Sequence, residues 1–230
     1  MRAVLWDMDG TLVDSEKLWD ISMQELYARL GGVLSAEVRE STVGGSAKSV
    51  MDTVYADLGL DPDPAAIAES TEWLHVRTGE LFEAGLPWRP GARELLDALL
   101  VEGIPMALVT NTRRDLTEQA LKSIGKHYFS VSVCGDEVQH GKPAPDVYLS
   151  AAELLGFEPA QCLAIEDSVT GSVAAESADC PVLVVPNDVE VPGSARRRHI
   201  TTLVGLSPSD LRGIHAALSA RLDDGVLPRG

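Results

Sequence analysis

The most constraining feature of this chain is its first fifteen residues. Ala3-Val4-Leu5-Trp6 is an uncharged apolar run, long enough for a buried strand, and it leads directly into Asp7-Met8-Asp9-Gly10-Thr11. Two carboxylates, one residue apart at the end of a buried strand, are costly unless a proton or a cation compensates them. A hard divalent ion such as Mg²⁺, which takes oxygen ligands, meets that need. Gly10 supplies the backbone freedom for a sharp exit from the strand.

After Ser15 the rhythm changes. Leu18, Trp19, Ile21, Met23, Leu26, Tyr27 and Leu30 fall at helical spacing, and Gly31-Gly32 stops that helix. Ser35 caps a short helix to Arg39, Ser46 to Leu58 forms another, and Pro64 opens a helix towards Phe82. No strand signal occurs between residues 15 and 87. From Pro90-Gly91 onwards helices and apolar strands alternate. The expected strands are Ile104–Val109, Val131–Cys134, Cys162–Ile165 and Val182–Val185, separated by helices over Ala92–Val101, Leu116–Ile124, Asp146–Leu155 and Val169–Ala178. Such alternation predicts an α/β fold with a parallel sheet covered on both faces. Residues 1–14 and 88–230 then form the core, and residues 15–87 an all-helical insertion. Val191 to His199, with Arg196-Arg197-Arg198, reads as a surface loop. Leu211 to Leu222 reads as a closing helix, with the last residues frayed.

In open parallel sheets, ligands bind beyond the carboxyl ends of the strands. The first strand ends in Asp7 and Asp9, the second in Thr110-Asn111-Thr112, and the strand through Ile165 in Glu166-Asp167-Ser168. Between the last two lies Gly141-Lys142-Pro143-Ala144-Pro145-Asp146, a loop entering a helix. The expected fold therefore brings one cation, hydroxyl and amide donors and four acids to one edge.

These four motifs, in this order, resemble those of the haloacid dehalogenase superfamily. Within it the chain is most similar to the helical-cap subfamily that includes phosphoglycolate phosphatases and β-phosphoglucomutases. The resemblance spans Ala3 to about Val185. It implies a Rossmann-like core with a mobile helical cap. It also implies that Asp7 attacks phosphorus to form an aspartyl-phosphate and that Asp9 serves as general acid and base. Thr110, Asn111 and Lys142 would bind the phosphoryl oxygens. Asp7, the Asp9 backbone carbonyl, Glu166 and Asp167 would hold Mg²⁺.

The expected activity is a Mg²⁺-dependent phosphatase acting on a small phosphorylated metabolite. Mutases of this subfamily tend to carry a His shortly after the acid pair and an Arg in the cap loop. The matching stretches here, Asp14-Ser15-Glu16-Lys17-Leu18-Trp19 and Gly44-Gly45-Ser46-Ala47-Lys48-Ser49-Val50, contain neither. Dehalogenation is disfavoured because displacing halide needs no acid such as Asp9. A phospho-accepting receiver module would be about half this length and lack the helical insertion. Cap residues considered for specificity are Glu16, Trp19, Lys48, His75 and Arg77, of which Glu16, Lys48 and Arg77 are kept. Trp19 and Trp73 read as cap core, and His75 and His140 receive no role.

The formal net charge of −16 argues against a nucleic-acid or anionic-membrane partner. Cys134, Cys162 and Cys180 are widely spaced and fit reduced buried thiols of a cytoplasmic protein.

Overall fold

The computed structural model describes residues 1–187 and 189–224. Six strands form one sheet: β1 (Ala3–Trp6), β2 (Met106–Val109), β3 (Val131–Val133), β4 (Cys162–Glu166), β5 (Val182–Val184) and β6 (Arg197–His199). Their order is β3-β2-β1-β4-β5-β6, and every neighbouring pair is parallel. β1 is therefore central. The chain builds outwards from it first to one side and then to the other, which opens a crevice at the carboxyl ends of β1, β2 and β4.

Between β1 and β2 lie α1 (Glu16–Arg29), α2 (Ala36–Thr42), α3 (Ala47–Leu58), α4 (Pro64–Glu83) and α5 (Ala92–Val101). Side chains start three of them: Ser35, Ser46 and Asp63 accept from the N–H groups of Val38, Ser49 and Ala66. The first four helices bury a hydrophobic cluster of their own, with Met23, Leu26, Tyr27, Met51, Val54, Tyr55 and Leu74 at its centre. The insertion thus packs as a unit. Trp19 touches both this cluster and that of the sheet.

The remaining helices are α6 (Arg114–Ile124), α7 (Asp146–Leu155), α8 (Val169–Ser177) and α9 (Pro208–Asp224). All residues of β1, β2 and β4 are buried, which explains why they read as apolar runs without alternation. Val4, Trp6, Leu108 and Ile165 meet Leu95, Leu96 and Leu99 of α5, Leu121 of α6 and Leu211 of α9 on one face. Leu5, Ala107 and Ala164 meet Ala151 and Ala152 of α7 and Ala174 and Ala175 of α8 on the other. Those small side chains let α7 and α8 lie close to the sheet.

One expectation is corrected. The stretch read as a loop up to His199 contains β6, which pairs with β5 through Val182–Arg197, Leu183–Arg198 and Val184–His199. An edge strand has only one neighbour and needs no apolar run, so its basic residues hid it. Arg197 is buried and pairs with Glu176 of α8 at 2.8 Å, and Arg196 pairs with Asp179 at 2.5 Å. These arginines fasten the sheet edge. Residues 225–230, expected to fray, lie outside the described residues. All three cysteines are free and buried. Among the described residues, no helix is long and apolar enough to cross a membrane.

The tightest helix–sheet approach is at Gly171, where a Cβ would lie 1.8 Å from Glu166 Oε1. Glycine inside a helix ordinarily costs about 1 kcal/mol relative to alanine. Here the order reverses, because the Glu166 carboxylate is buried and held by three donors. We expect Gly171→Ala to destabilise the protein by about 1–3 kcal/mol in urea denaturation, the usual cost of overpacking. A variant as stable as the parent would show that Glu166 can move freely.

Candidate active site

The carboxyl ends of β1, β2 and β4 and the loop after β3 supply the polar groups. Lys142 is almost wholly buried, and its Nζ donates to Asp7 Oδ1 at 2.5 Å, Glu166 Oε1 at 2.6 Å and the Val109 carbonyl at 3.0 Å. The Tyr148 hydroxyl donates to Glu166 Oε1 at 2.6 Å, and Ser168 Oγ to Oε2 at 3.1 Å. Burial opposes the charge on Lys142, but the Asp7 and Glu166 carboxylates outweigh it and raise its pKa above the ordinary lysine range. Lys142 is therefore a fixed cation. Burial first, and then crowding by neighbouring carboxylates, push Asp7 and Asp167 well above the usual range.

Asp7, Glu166 and Asp167 each offer a carboxylate oxygen within 4.8 Å of the others. With all three carboxylates ionised, one lysine would leave two negative charges uncompensated, which a divalent cation would balance; without one, the raised pKa values hold protons on the cluster instead. The donor chemistry thus fits a hard ion such as Mg²⁺. Both Glu166 oxygens already accept from protein donors, whereas Asp167 accepts only a 3.3 Å bond from Thr11 among the described residues. Asp7 and Asp167 are the less committed ligands. Gly10 makes room for this arrangement: it has φ +81°, and a Cβ there would lie 2.0 Å from Asp167 Oδ2.

Asp9 turns elsewhere. Its Oδ1 accepts from Ser15 Oγ at 2.6 Å and Trp19 Nε1 at 3.1 Å; its Oδ2 accepts from Thr112 Oγ1 at 2.8 Å and Thr110 Oγ1 at 3.3 Å. Thr110 therefore spends its hydroxyl on Asp9. Asn111 spends its side chain too: Nδ2 donates to the Gly44 carbonyl at 2.9 Å and the Lys142 carbonyl at 3.1 Å, and Oδ1 accepts from Lys142 N at 2.7 Å. The amide bridges the helical insertion to the lysine loop. Both side chains, expected at a phosphate, make these contacts in the structure, and Asn111 also lines the cavity beside the insertion.

A cavity of about 80 Å³ lies between these residues and the insertion, room for several water-sized groups. Asp7, Asp9, Asn111, Thr112, Lys142 and Ser168 form the core side of its wall, and residues of the insertion supply the rest. Of the cap residues singled out, Glu16 lines the cavity. Lys48 does not: its side chain is 84% exposed and pairs with Asp52. Arg77 pairs with Glu25 and Glu80 and is also absent from the wall. Trp19 and His75, also considered for the cap, line it, and so does Arg39, which was not. Trp19 faces His75 and Phe82 edge-on while its indole N–H reaches Asp9, so it is both packing and site. Its position four residues after Ser15, one helical turn on, was the available signal. Arg39 gave none, because its neighbours in space come from α1.

Replacing Lys142 by Met would leave the carboxylates unpaired. We expect a loss of about 3–5 kcal/mol in chemical denaturation at neutral pH in metal-free protein. Carboxyls whose folded pKa is raised favour the native state below their unfolded pKa, and that preference is lost as pH rises. The deficit of Lys142→Met should therefore grow from pH 5 to pH 8. A deficit that shrinks over this range would contradict the charge count.

The family model of the haloacid dehalogenase-like hydrolases matches residues 1–179. Protein CbbY of Rhodobacter capsulatus is 33% identical over 198 residues, covering 82% of this chain and 86% of its own. Hexitol phosphatase B of Escherichia coli K12 is 32% identical over 186 residues, covering 80% and 83%. The crystal structure of a CbbY variant from Rhodobacter sphaeroides in complex with xylulose-(1,5)bisphosphate superposes with a TM-score of 0.78 at 27% identity, covering 92% of this chain and 99% of that one. With its parallel α/β core and acid-bearing strand ends, the chain belongs to the haloacid dehalogenase-like hydrolases.

Proposed function

We propose that this enzyme is a Mg²⁺-dependent phosphatase that hydrolyses small phosphate monoesters, sugar phosphates or related metabolites, through an aspartyl-phosphate on Asp7. The observation that carries this reading is the buried Lys142 clamping Asp7 and Glu166 beside Asp167, at the wall of a cavity roofed by α1 to α4. Residues 15–87 would serve as the cap and residues 1–14 and 88–230 as the core. The hexitol phosphatase named above and the bisphosphate held by the CbbY variant support a phosphorylated sugar as the substrate type. Three buried free thiols fit a reducing, cytoplasmic setting.

Asp7, the Asp9 backbone carbonyl and Asp167, with Glu166 beside them, would hold the ion. When bound, it supplies the positive charge that lets a carboxylate approach an anionic phosphate. Lys142 occupies Asp7 Oδ1, leaving Oδ2 to attack phosphorus. As the new Asp7–phosphorus bond forms, the ester P–O bond breaks and Asp9 delivers its proton to the departing alkoxide. Water then attacks the same phosphorus while Asp9 takes back a proton. Inorganic phosphate leaves and the Asp7 carboxylate is restored. Ser15, Trp19, Thr110 and Thr112 hold Asp9 in place for both proton transfers. The insertion excludes water during the first step.

The mutase alternative asks the cap to retain a phosphorylated intermediate until a sugar hydroxyl arrives. Lys48, the candidate cation for that grip, is solvent-exposed and paired with Asp52. The test is phosphate release measured beside conversion of β-glucose 1-phosphate to glucose 6-phosphate. We expect steady phosphate release that disappears with EDTA and returns with Mg²⁺. Efficient isomerisation with negligible release would favour the mutase. Asp7→Asn should abolish turnover in a folded protein, and Asp9→Asn should slow it by about 10²–10⁴-fold. Mg²⁺ should also raise the Tm of the wild type, because an ion that binds only the native state stabilises it. An unchanged Tm at millimolar Mg²⁺ would count against the ion site.

A further inference from the structure

The part of the cavity wall built by the insertion has an unusual charge balance. Arg39 is the one arginine or lysine that the insertion contributes to this wall among the described residues. Each of its guanidinium nitrogens is engaged. Nε pairs with Asp20, Nη2 with the Glu16 carboxylate and, at 3.3 Å, the Glu16 carbonyl, and Nη1 meets Thr42 Oγ1 at 3.5 Å. Two carboxylates thus oppose one cation. Glu16 is buried and Arg39 largely so, with side chains 8% and 14% exposed. Burial and the nearby Arg113 hold His75 below the usual histidine range, so it adds no charge at neutral pH.

Glu16 Oε1 accepts no hydrogen bond among the described residues, although the carboxylate lines the cavity. The rest of this wall is largely apolar, with Met23, Val50, Met51 and Leu74. A second anionic group on a substrate would meet no free cation here and would face Glu16. A hydroxyl group could donate to Glu16, while carbon–hydrogen faces pack against the methionines. The net charge of −16 adds a long-range penalty for each further negative charge.

We infer that the substrate is a phosphate monoester whose remaining part is an uncharged, hydroxyl-bearing carbon chain, and that the Glu16–Arg39 pair rejects substrates carrying a second phosphate or a carboxylate. This rests on the phosphatase reading above and specifies the compounds it acts on. Glu16 is the specificity-determining residue: it neutralises Arg39 and presents an acceptor.

The test uses two length-matched pairs that differ in a terminal CH₂OH or carboxylate: sorbitol 6-phosphate against 6-phosphogluconate, and glycerol 3-phosphate against 3-phosphoglycerate. Phosphate release with Mg²⁺ gives kcat/KM, and calorimetry on Asp7→Asn protein gives Kd without turnover. We expect the neutral member to be favoured by about tenfold or more in at least one pair, on the scale of a like-charge penalty. In Glu16→Gln that ratio should fall severalfold, because Arg39 loses one of its two carboxylates. Equal or better use of the acids, an unchanged ratio in Glu16→Gln, or no binding of any of the four compounds would overturn the inference. Absence of phosphate release from all four would instead sink the phosphatase reading, and the Kd ratio would still decide the preference for a neutral tail.

Discussion

The site depends on a single buried cation among three carboxylates. Lys142 is placed by a loop after β3, yet its ammonium lies beneath the ends of β1 and β4, where it joins Asp7 to Glu166. Removing charges from water costs several kcal/mol per ion, and only dense mutual pairing offsets that. The surrounding residues serve this balance: Tyr148 and Ser168 complete Glu166, Gly171 makes space for it, and Gly10 lets Asp167 approach. Three carboxylates around one lysine exceed what an ion pair needs, which makes the cluster suited to a divalent ion rather than to a purely structural pair.

Two carboxylates one residue apart end up in different environments. Asp7 points into the lysine cluster, and Asp9 points away from it into a ring of neutral donors. Alternation along a strand would place residues two apart on one face, but both acids lie beyond the end of β1, where the chain turns away at Gly10 with φ +81°, and this turn separates them. Asp7 is thereby fixed beside positive charge, and Asp9 is held by four neutral donors. Two of the four donors to Asp9, Ser15 and Trp19, lie at or beyond the junction with the insertion. The helical block therefore supplies part of the hydrogen-bonded surroundings of Asp9 as well as covering the core. Asn111 makes a second such tie, from β2 to Gly44.

Much of this was legible in the sequence. The uncharged runs of β1, β2 and β4 identify buried parallel strands, and Ser35, Ser46 and Pro64 mark the starts of α2, α3 and α4 to within a residue. β6 was not legible, because an edge strand built from Arg197, Arg198 and His199 carries no apolar signal. In the site, the residue types at the strand ends were readable and their partners were not. Thr110 and Asn111 bear the right donors, but the direction in which a donor points depends on what lies across from it. Lys48 and Arg77 were plausible cap cations by composition, and the helix rotation that sends them to solvent or to Glu25 follows from how α3 and α4 bury their apolar faces.

By itself, then, the sequence determined the periodicities, the strand-end chemistry and the order of motifs, because these follow from local spacing and from the cost of burying charge. Only the tertiary structure decided the charge balance of the two half-sites. Lys142 reaches Asp7 across 135 residues, and Arg39 reaches Glu16 across 23. Pairings of that kind are set by how helices and strands pack, and a buried ion pair leaves no periodic trace along the chain.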